Sequence, residues 1–389
     1  MNNKSLLYIA FKDFSNLHFG ANSKVLSQCR SFEKYGYSVD LVGRCGSDSV
    51  LIDTSGSKST LCKSKFFLSN SRFRNLAAKN TQYKALKRFI DDKVYDACYI
   101  RYDFSDRGFI HLLKALKKHT RKIILELPTY PYEGENKNGI LNKIKLSIDK
   151  HYSKYLSEYI DYIVTFYDGH SEIFGIPVIV IPNGFDFSSM NLVNSDLPNN
   201  EIHIVAVSSM REWHGYERMI EGINDYYNQS NKSENFILHL VGNGRDYKKY
   251  KSLVEQYHLE RHVIMEGPLH GELLDELYEL CAIGVDSLAR HRSGITVLSS
   301  LKSREYGAKG LPIINSCKID IIEDDFPYLL RVPGDETPID MSEVAAFYHR
   351  CYDGLSRDFV CKTIREYIES KSGMFNTLKR VIDVIEHAE

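Results

Sequence analysis

The stretch Ser299-Ser300-Leu301-Lys302-Ser303-Arg304-Glu305-Tyr306-Gly307-Ala308-Lys309-Gly310-Leu311-Pro312-Ile313-Ile314 carries residue types suited to holding a polyanion. Two serines stand where a helix would begin. Ser299 or Ser300 can cap it and leave backbone N–H groups free at the positive end of the helix dipole. Such a helix start receives a diphosphate readily. Lys302 falls in the first turn and adds a full charge against the same phosphates. Glu305, one turn further on, can accept hydrogen bonds from ribose hydroxyls. Gly310 and Pro312 then stop the helix and open the next strand.

A second candidate is Glu126, in Glu126-Leu127-Pro128-Thr129-Tyr130-Pro131-Tyr132-Glu133. It ends an apolar strand, and a carboxylate at that depth needs a reason. Two are available: Glu126 faces a ligand cleft, the reading preferred here, or it pairs with Arg101 at the end of the neighbouring strand.

These residues need a scaffold, and the rest of the chain supplies its pattern. Short apolar runs alternate with segments of helical spacing. Strands are expected at 6–10, 38–42, 97–101, 122–127, 162–165 and 178–181, with helices at 24–35, 109–119 and 141–159. A polar stretch, Ser188–Asn200, reads as a linker. Strands then recur at 202–207, 236–241, 263–266, 282–287 and 311–316, with helices at 216–228, 247–257, 272–281 and 301–309. This alternation predicts an α/β chain with two Rossmann-like domains, each a parallel sheet covered on both faces, around a central cleft. The expected boundaries are 1–187, 200–370 and a terminal segment, 371–389.

Composition agrees with a two-domain globular protein. The chain has 389 residues, 43% of them hydrophobic and 26% charged, which suits two cores rather than one. A net charge of −1 gives no whole-molecule attraction to nucleic acid. No apolar run is long enough to cross a bilayer. The eight cysteines are scattered singly, with no CxxC pair, and read as reduced core residues of a cytoplasmic protein. No Asp-x-Asp pair sits at a strand end, so no metal site is expected. From Lys58 to Arg88 there are nine Lys or Arg and no acid, interspersed with apolar residues. That stretch reads equally as a contact with an anionic membrane surface or as a solvated helical face with core anchors.

The segment around Lys302 and Glu305 resembles the matching part of glycosyltransferase family 4 enzymes, which have the GT-B fold. Further likenesses follow in the family's order: Ile181-Pro182-Asn183-Gly184-Phe185-Asp186, then Leu240-Val241-Gly242-Asn243-Gly244, then Glu266-Gly267-Pro268-Leu269-His270. In the first half, Gly20, within His18-Phe19-Gly20-Ala21-Asn22, resembles the family's glycine loop. The resemblance implies donor contacts at Gly20, Gly242, Gly244 and the backbone of Leu269, ribose at Glu305, and phosphates at Ser299, Ser300 and Lys302. It also implies that 1–187 bind the acceptor and 200–370 the nucleotide sugar, with a terminal helix, 375–387, returning to the first domain.

Three departures bear on mechanism. Val297 stands where the family has a first glutamate. Ser209 and His214 stand where it presents an Arg and a Lys to the diphosphate, with Arg211 placed to fill the gap left by Ser209. Glu126 stands where a His near the reacting centre is frequent. A departing nucleoside diphosphate needs its charge compensated. The remaining candidates are His214, Lys302 and the cluster Arg290-His291-Arg292 just before Gly294.

The resemblance thus implies retaining, metal-independent transfer with no cofactor. The donor would be a UDP- or GDP-sugar, and the acceptor a glycan or a polyprenyl-diphosphate-linked sugar, in bacterial surface polysaccharide synthesis. Glu126, Lys302 and His214 are its catalytic candidates, with peripheral membrane contact through 58–88 at the inner face. Two alternatives stay open: a nucleotide-sugar 2-epimerase on the same fold, and a non-catalytic sugar- or nucleotide-binding relative. A dehydrogenase is disfavoured, since no Gly-x-Gly-x-x-Gly follows the first strand.

Overall fold

The computed structural model describes residues 4–17, 20–64, 71–128, 130, 140–166, 169–229 and 233–387. His18, Phe19, Thr129 and residues 131–133, named above, lie outside them. The chain divides into two compact units, Met1–Asp186 with Met374–Glu389, and Phe187–Gly373.

The first unit runs β1 (Lys4–Asp13), α1 (Gly20–Lys34), β2 (Tyr37–Cys45), β3 (Asp48–Ile52), β4 (Lys58–Cys62), α2 (Ser71–Phe89), β5 (Tyr95–Arg101), α3 (Arg107–Leu116), β6 (Thr120–Leu127), α4 (Ile140–Ser153), β7 (Tyr162–Thr165), β8 (Glu172–Ile173) and β9 (Ile176–Val180). The second runs β10 (Ile202–Ser208), α5 (Glu217–Tyr227), β11 (Phe236–Gly242), α6 (Tyr247–Gln256), β12 (Val263–Gly267), α7 (Glu272–Leu280), β13 (Ile283–Val285), β14 (Val297–Leu298), α8 (Leu301–Lys309), β15 (Ile313–Asn315), β16 (Lys318–Ile319), β17 (Leu329–Arg331), α9 (Met341–Tyr352) and α10 (Arg357–Ser372). The last helix, α11 (Met374–His387), belongs to the first unit.

In the first unit the strand order is β4-β3-β2-β1-β5-β6-β7-β9-β8. β1 shows why the sheet needs two covers. Leu6, Tyr8 and Ala10 pack on one face with Val25, Cys29 and Phe32 of α1 and Leu378 and Val381 of α11. Leu7, Ile9 and Phe11 pack on the other with Leu86 of α2 and Phe109 and Leu112 of α3. A strand buried on both faces reads as a continuous apolar run, which is how β1 is visible in the sequence. The expected all-parallel sheet is corrected at its edges, because β2–β3, β3–β4 and β8–β9 pair antiparallel. Only Gly46 and Ser47 separate β2 from β3, too few residues for a crossover.

In the second unit the order is β12-β11-β10-β13-β15-β17. The chain therefore builds outward from β10 in one direction and restarts at β13 in the other, so β10 and β13 flank the point where ligands collect in such sheets. Residues 188–200, expected as a linker, are tied to this unit. Val193 is buried and its N–H meets Lys309 O at 3.2 Å. The N–H groups of Asn194 and Ser195 both donate to Glu279 Oε2 at 2.9 Å.

Of the basic stretch 58–88, the described part is a strand and a helix with core anchors. Ala78, Lys79, Gln82, Tyr83, Ala85 and Leu86 are buried, while Lys84, Lys87 and Arg88 are exposed. All eight cysteines are free. Among the described residues no helix is long and apolar enough to cross a membrane.

Candidate functional site

The site in the second unit begins with a gap in a sheet. β10 and β13 pair only at Ile204–Ile283 and Val205–Gly284. Beyond that register the Tyr306 hydroxyl of α8 bridges them, accepting from Val207 N–H and donating to Val285 O, each at 3.0 Å. Its ring lies on Gly284, where an added Cβ would meet it at 2.5 Å. Glycine at 284 thus lets α8 settle over the switch point.

The start of α8 is capped as expected, but its hydroxyls are committed. Ser300 adopts an extended N-cap conformation and its Oγ accepts from Ser303 N–H at 3.2 Å. The Ser300 and Ser303 hydroxyls both donate to Asp286 Oδ2, and Lys302 Nζ lies 2.9 Å from Asp286 Oδ1. Asp286 is wholly buried. Burial alone would raise its carboxyl, yet the Lys302 ammonium and the two serine hydroxyls overcome that and hold it well below the usual carboxylate range. The Ser299 hydroxyl is likewise engaged, donating to Asp320 at 2.6 Å. Backbone N–H groups at Leu301 and Lys302, both half-buried, are what the helix start still offers. Asp286 was missed in the sequence because it reads as the tail of a strand over 282–287. A polar residue closing an apolar run was the signal.

His214 needs correction as a phosphate-compensating cation. It is buried, and its Nδ1 accepts the Arg211 backbone N–H at 2.9 Å, which places the remaining proton on Nε2. Burial, then Lys302, Arg290 and Arg211, push its pKa down to about 2 against the pull of Asp286. The ring, stacked on Tyr216 with centroids 5.6 Å apart, is therefore a neutral Nε2–H donor. That Nε2 makes no hydrogen bond to a described residue.

The Arg290-His291-Arg292 cluster separates into unlike members. Arg292 is committed, to Glu217 at 2.6 Å, to Glu336 and to Glu212 O at 2.7 Å, so its assignment as a phosphate ligand is corrected to that of a structural tie. His291 also meets Glu336, at 2.7 Å. Arg290 pairs with no described carboxylate, its guanidinium lies 5.7 Å from the Trp213 ring, and its Nε is buried without a partner among the described residues. Arg211 is exposed and likewise in no ion pair with a described residue. Gly294, in the left-handed region at φ 69°, ends the turn that carries them.

The remaining residues line the carboxyl ends of neighbouring strands. Ser209 is exposed just past β10. Gly242 ends β11 and Gly244 follows it, both so close to β10 and its end that a Cβ would lie 2.0 Å from Ser208 O or 1.9 Å from Ser209 O. Leu269 is half-buried after β12. Glu305 accepts from Tyr278 Oη at 2.8 Å through Oε1, and burial raises its carboxyl above the usual range. Its Oε2 makes no hydrogen bond to a described residue and stays available.

Two further residues lie in the first unit. Gly20 is the first residue of α1. Glu126 is fully buried; Arg101 pairs with its Oε1, while Gln28 Nε2 at 2.5 Å and Tyr99 Oη at 2.7 Å donate to its Oε2. The ligand-facing reading of Glu126 is thus corrected to the ion-pair one. Although burial opposes it, Arg101 and Lys24 hold the carboxyl below its ordinary value.

Residues 191–314, which contain every second-unit residue discussed here except Glu336 and Asp320, match the family model described as glycosyl transferases group 1. The chain is a glycosyltransferase with a group 1 domain. No curated protein sequence matches it. Among solved structures, the sucrose-phosphate synthase of Thermosynechococcus elongatus superimposes with a TM-score of 0.70 at 15% identity, covering 99% of this chain and 100% of that one. S. aureus TarM, solved with UDP and alpha-GlcNAc-glycerol, gives 0.59 at 11% identity, with 98% and 99% covered. The lipopolysaccharide outer core galactosyltransferase WaaB gives 0.57 at 14%, with 97% and 99% covered. These likenesses show the fold, GT-B, for the whole length of the glycosyltransferase. Its group 1 domain thus brings Lys302, His214, Arg290, Arg211, the two turn glycines and Glu305 to the carboxyl edge of one sheet.

Proposed function

We propose that the glycosyltransferase transfers a sugar from a UDP- or GDP-sugar with retention and without a metal. The acceptor would be a glycan or a polyprenyl-diphosphate-linked sugar, in bacterial surface polysaccharide synthesis. The reading is carried by the two uncommitted guanidinium groups, Arg290 and Arg211, beside a neutral His214 and the open start of α8. An anion there meets fixed positive charge and N–H donors that need no reorganisation. Glu305 Oε2 and the α8 backbone would grip ribose and phosphate. As the bond from the anomeric carbon to the diphosphate breaks, the leaving oxygen gains negative charge, which Arg290, Arg211 and the His214 Nε2–H offset. That oxygen then takes the acceptor's hydroxyl proton as the new glycosidic bond forms on the same face. Lys302 contributes less than its position suggests, since Asp286 already balances its charge.

Peripheral membrane contact through 58–88 is part of this reading, supported by exposed Lys84, Lys87 and Arg88 on α2. TarM has been solved with UDP, and WaaB is a lipopolysaccharide outer core galactosyltransferase; both fit the proposal as relatives in fold. The test is a thermal-shift screen of nucleoside diphosphates and their sugars, followed by NMR of the product's anomeric proton in the presence of a chelator. Stabilisation by UDP or GDP and a retained configuration with chelator present support the proposal. Absence of any nucleotide effect, or an inverted product, sinks it.

A further inference from the structure

The first unit gathers a separate set of cations at the carboxyl ends of β1 and β5. Just past β5, Asp103 feels three ammonium groups, Lys79, Lys145 and Lys12. Lys79 of α2 is buried; its Nζ lies 3.3 Å from Asp103 Oδ2 and 4.0 Å from Asp106 Oδ2, and donates to Phe104 O at 2.9 Å. Lys145 of α4 approaches Asp103 Oδ1 at 3.5 Å. Both ammonium groups also sit over the Phe104 ring, at 3.4 and 4.3 Å from its centroid. Lys12, next to last in β1, lies two residues past the last pairing of β1 with β5, Ala10–Arg101, as Asp103 does on the other strand; it is half-buried, and its ammonium makes no hydrogen bond or ion pair with a described residue. Burial pulls its ammonium below the usual lysine value, and Arg101, Lys145 and Arg44 push the same way against Asp103.

Three lysines thus share two carboxylates, and the lysine left over is the one without a contact. Holding an unpaired, half-desolvated charge among other cations is unfavourable unless something regularly neutralises it. The carboxyl ends of parallel strands are where such folds receive ligands. We propose that this cluster receives an anionic group of the sugar acceptor, a phosphate or a carboxylate, with Lys12 as its principal donor and Lys145 beside it. This rests on reading the first unit as the acceptor-binding half of the glycosyltransferase.

The test measures thermal stabilisation of the full chain by glycerol phosphate, glucuronate and neutral glycerol at constant ionic strength. The expected result is a concentration-dependent rise in Tm with one of the two anions, which also tells phosphate from carboxylate, and none with glycerol. Lys12→Gln should abolish that rise, and Lys145→Gln should weaken binding about 3- to 10-fold. Neither variant should change stabilisation by UDP or GDP, which reports the second unit; loss of that signal in the parent protein would instead count against the donor reading. If neither anion stabilises more than chloride does, or if Lys12→Gln binds as the parent does, the anion site is refuted.

Discussion

The ammonium of Lys302 stands 2.9 Å from the carboxylate of Asp286, a residue with no exposed surface. Replacing Lys302 by Ala therefore leaves a buried carboxylate short of its counter-charge, at a cost of about 3–5 kcal/mol. The expected outcome is a large fall in Tm together with lost turnover, and partial recovery of Tm in the double variant Asp286→Asn, Lys302→Met. A Lys302→Ala protein that melts like the parent would show that the pair contributes nothing to the fold.

Asp286 also predicts an acid response. Its folded carboxyl is held below its unfolded value, so the stabilisation is complete above the usual carboxylate range of ~4 and fades as pH falls toward the folded value. Urea titrations of parent and Asp286→Asn should differ most near neutrality and converge in acid. A gap that stays constant from pH 7 to pH 3 contradicts this.

His214 should behave as a donor that never titrates during catalysis. With a folded pKa of about 2 against ~6.5 unfolded, it adds stability above pH ~6.5, lost at up to ~1.4 kcal/mol per pH unit as the solution is acidified. His214→Asn should flatten that slope relative to the parent. His214→Ala should cost turnover about 10²-fold, the scale of one lost transition-state donor, with no change in any kinetic limb near pH 6.5. An imidazolium ring seen by NMR at pH 6 would defeat this reading.

Arg290 and Arg292 are two residues apart and should fail in different assays. Arg290→Ala is expected to lower turnover about 10²-fold with little change in Tm. Arg292→Ala is expected to lower stability by about 1–2 kcal/mol, because it frees Glu217 and Glu336. Equal effects of both on turnover and Tm would remove the distinction.

In the first unit, Glu126→Gln should destabilise by removing the partner of Arg101, again about 3–5 kcal/mol, while leaving nucleotide binding by the group 1 domain unchanged. Were Glu126→Gln as stable as the parent but slow in transfer, a role at the reacting centre would return.

The framework was largely legible. β1 and β10 announce themselves as apolar runs because both faces are covered, and α8 as a serine cap ended by Gly310. The β3–β4 hairpin, α9 and α10 were not anticipated. β4 is an exposed edge strand and β3 is only five residues long, so neither carries much pattern. Charge pairing was the least legible. Nothing within a few residues separates Arg292 from Arg290, since the carboxylates that claim Arg292 lie 75 and 44 positions away. Glu126 and Arg101 posed the same difficulty. Either role suited an acid at a strand end, and only the converging Gln28 and Tyr99 decide between them.

The helix Met374–His387 supplies Leu378, Val381, Ile382 and Ile385 to the same core as β1 and α1. At about 1.5–3 kcal/mol for each large apolar side chain withdrawn from water, that core is far from complete without them. The first unit is therefore interrupted in the chain by the whole of the second. On the ribosome, residues up to Asp186 emerge early yet must wait for the final helix, while the inserted unit can finish first. Clipping the last sixteen residues would thus undo the half of the molecule that was made first.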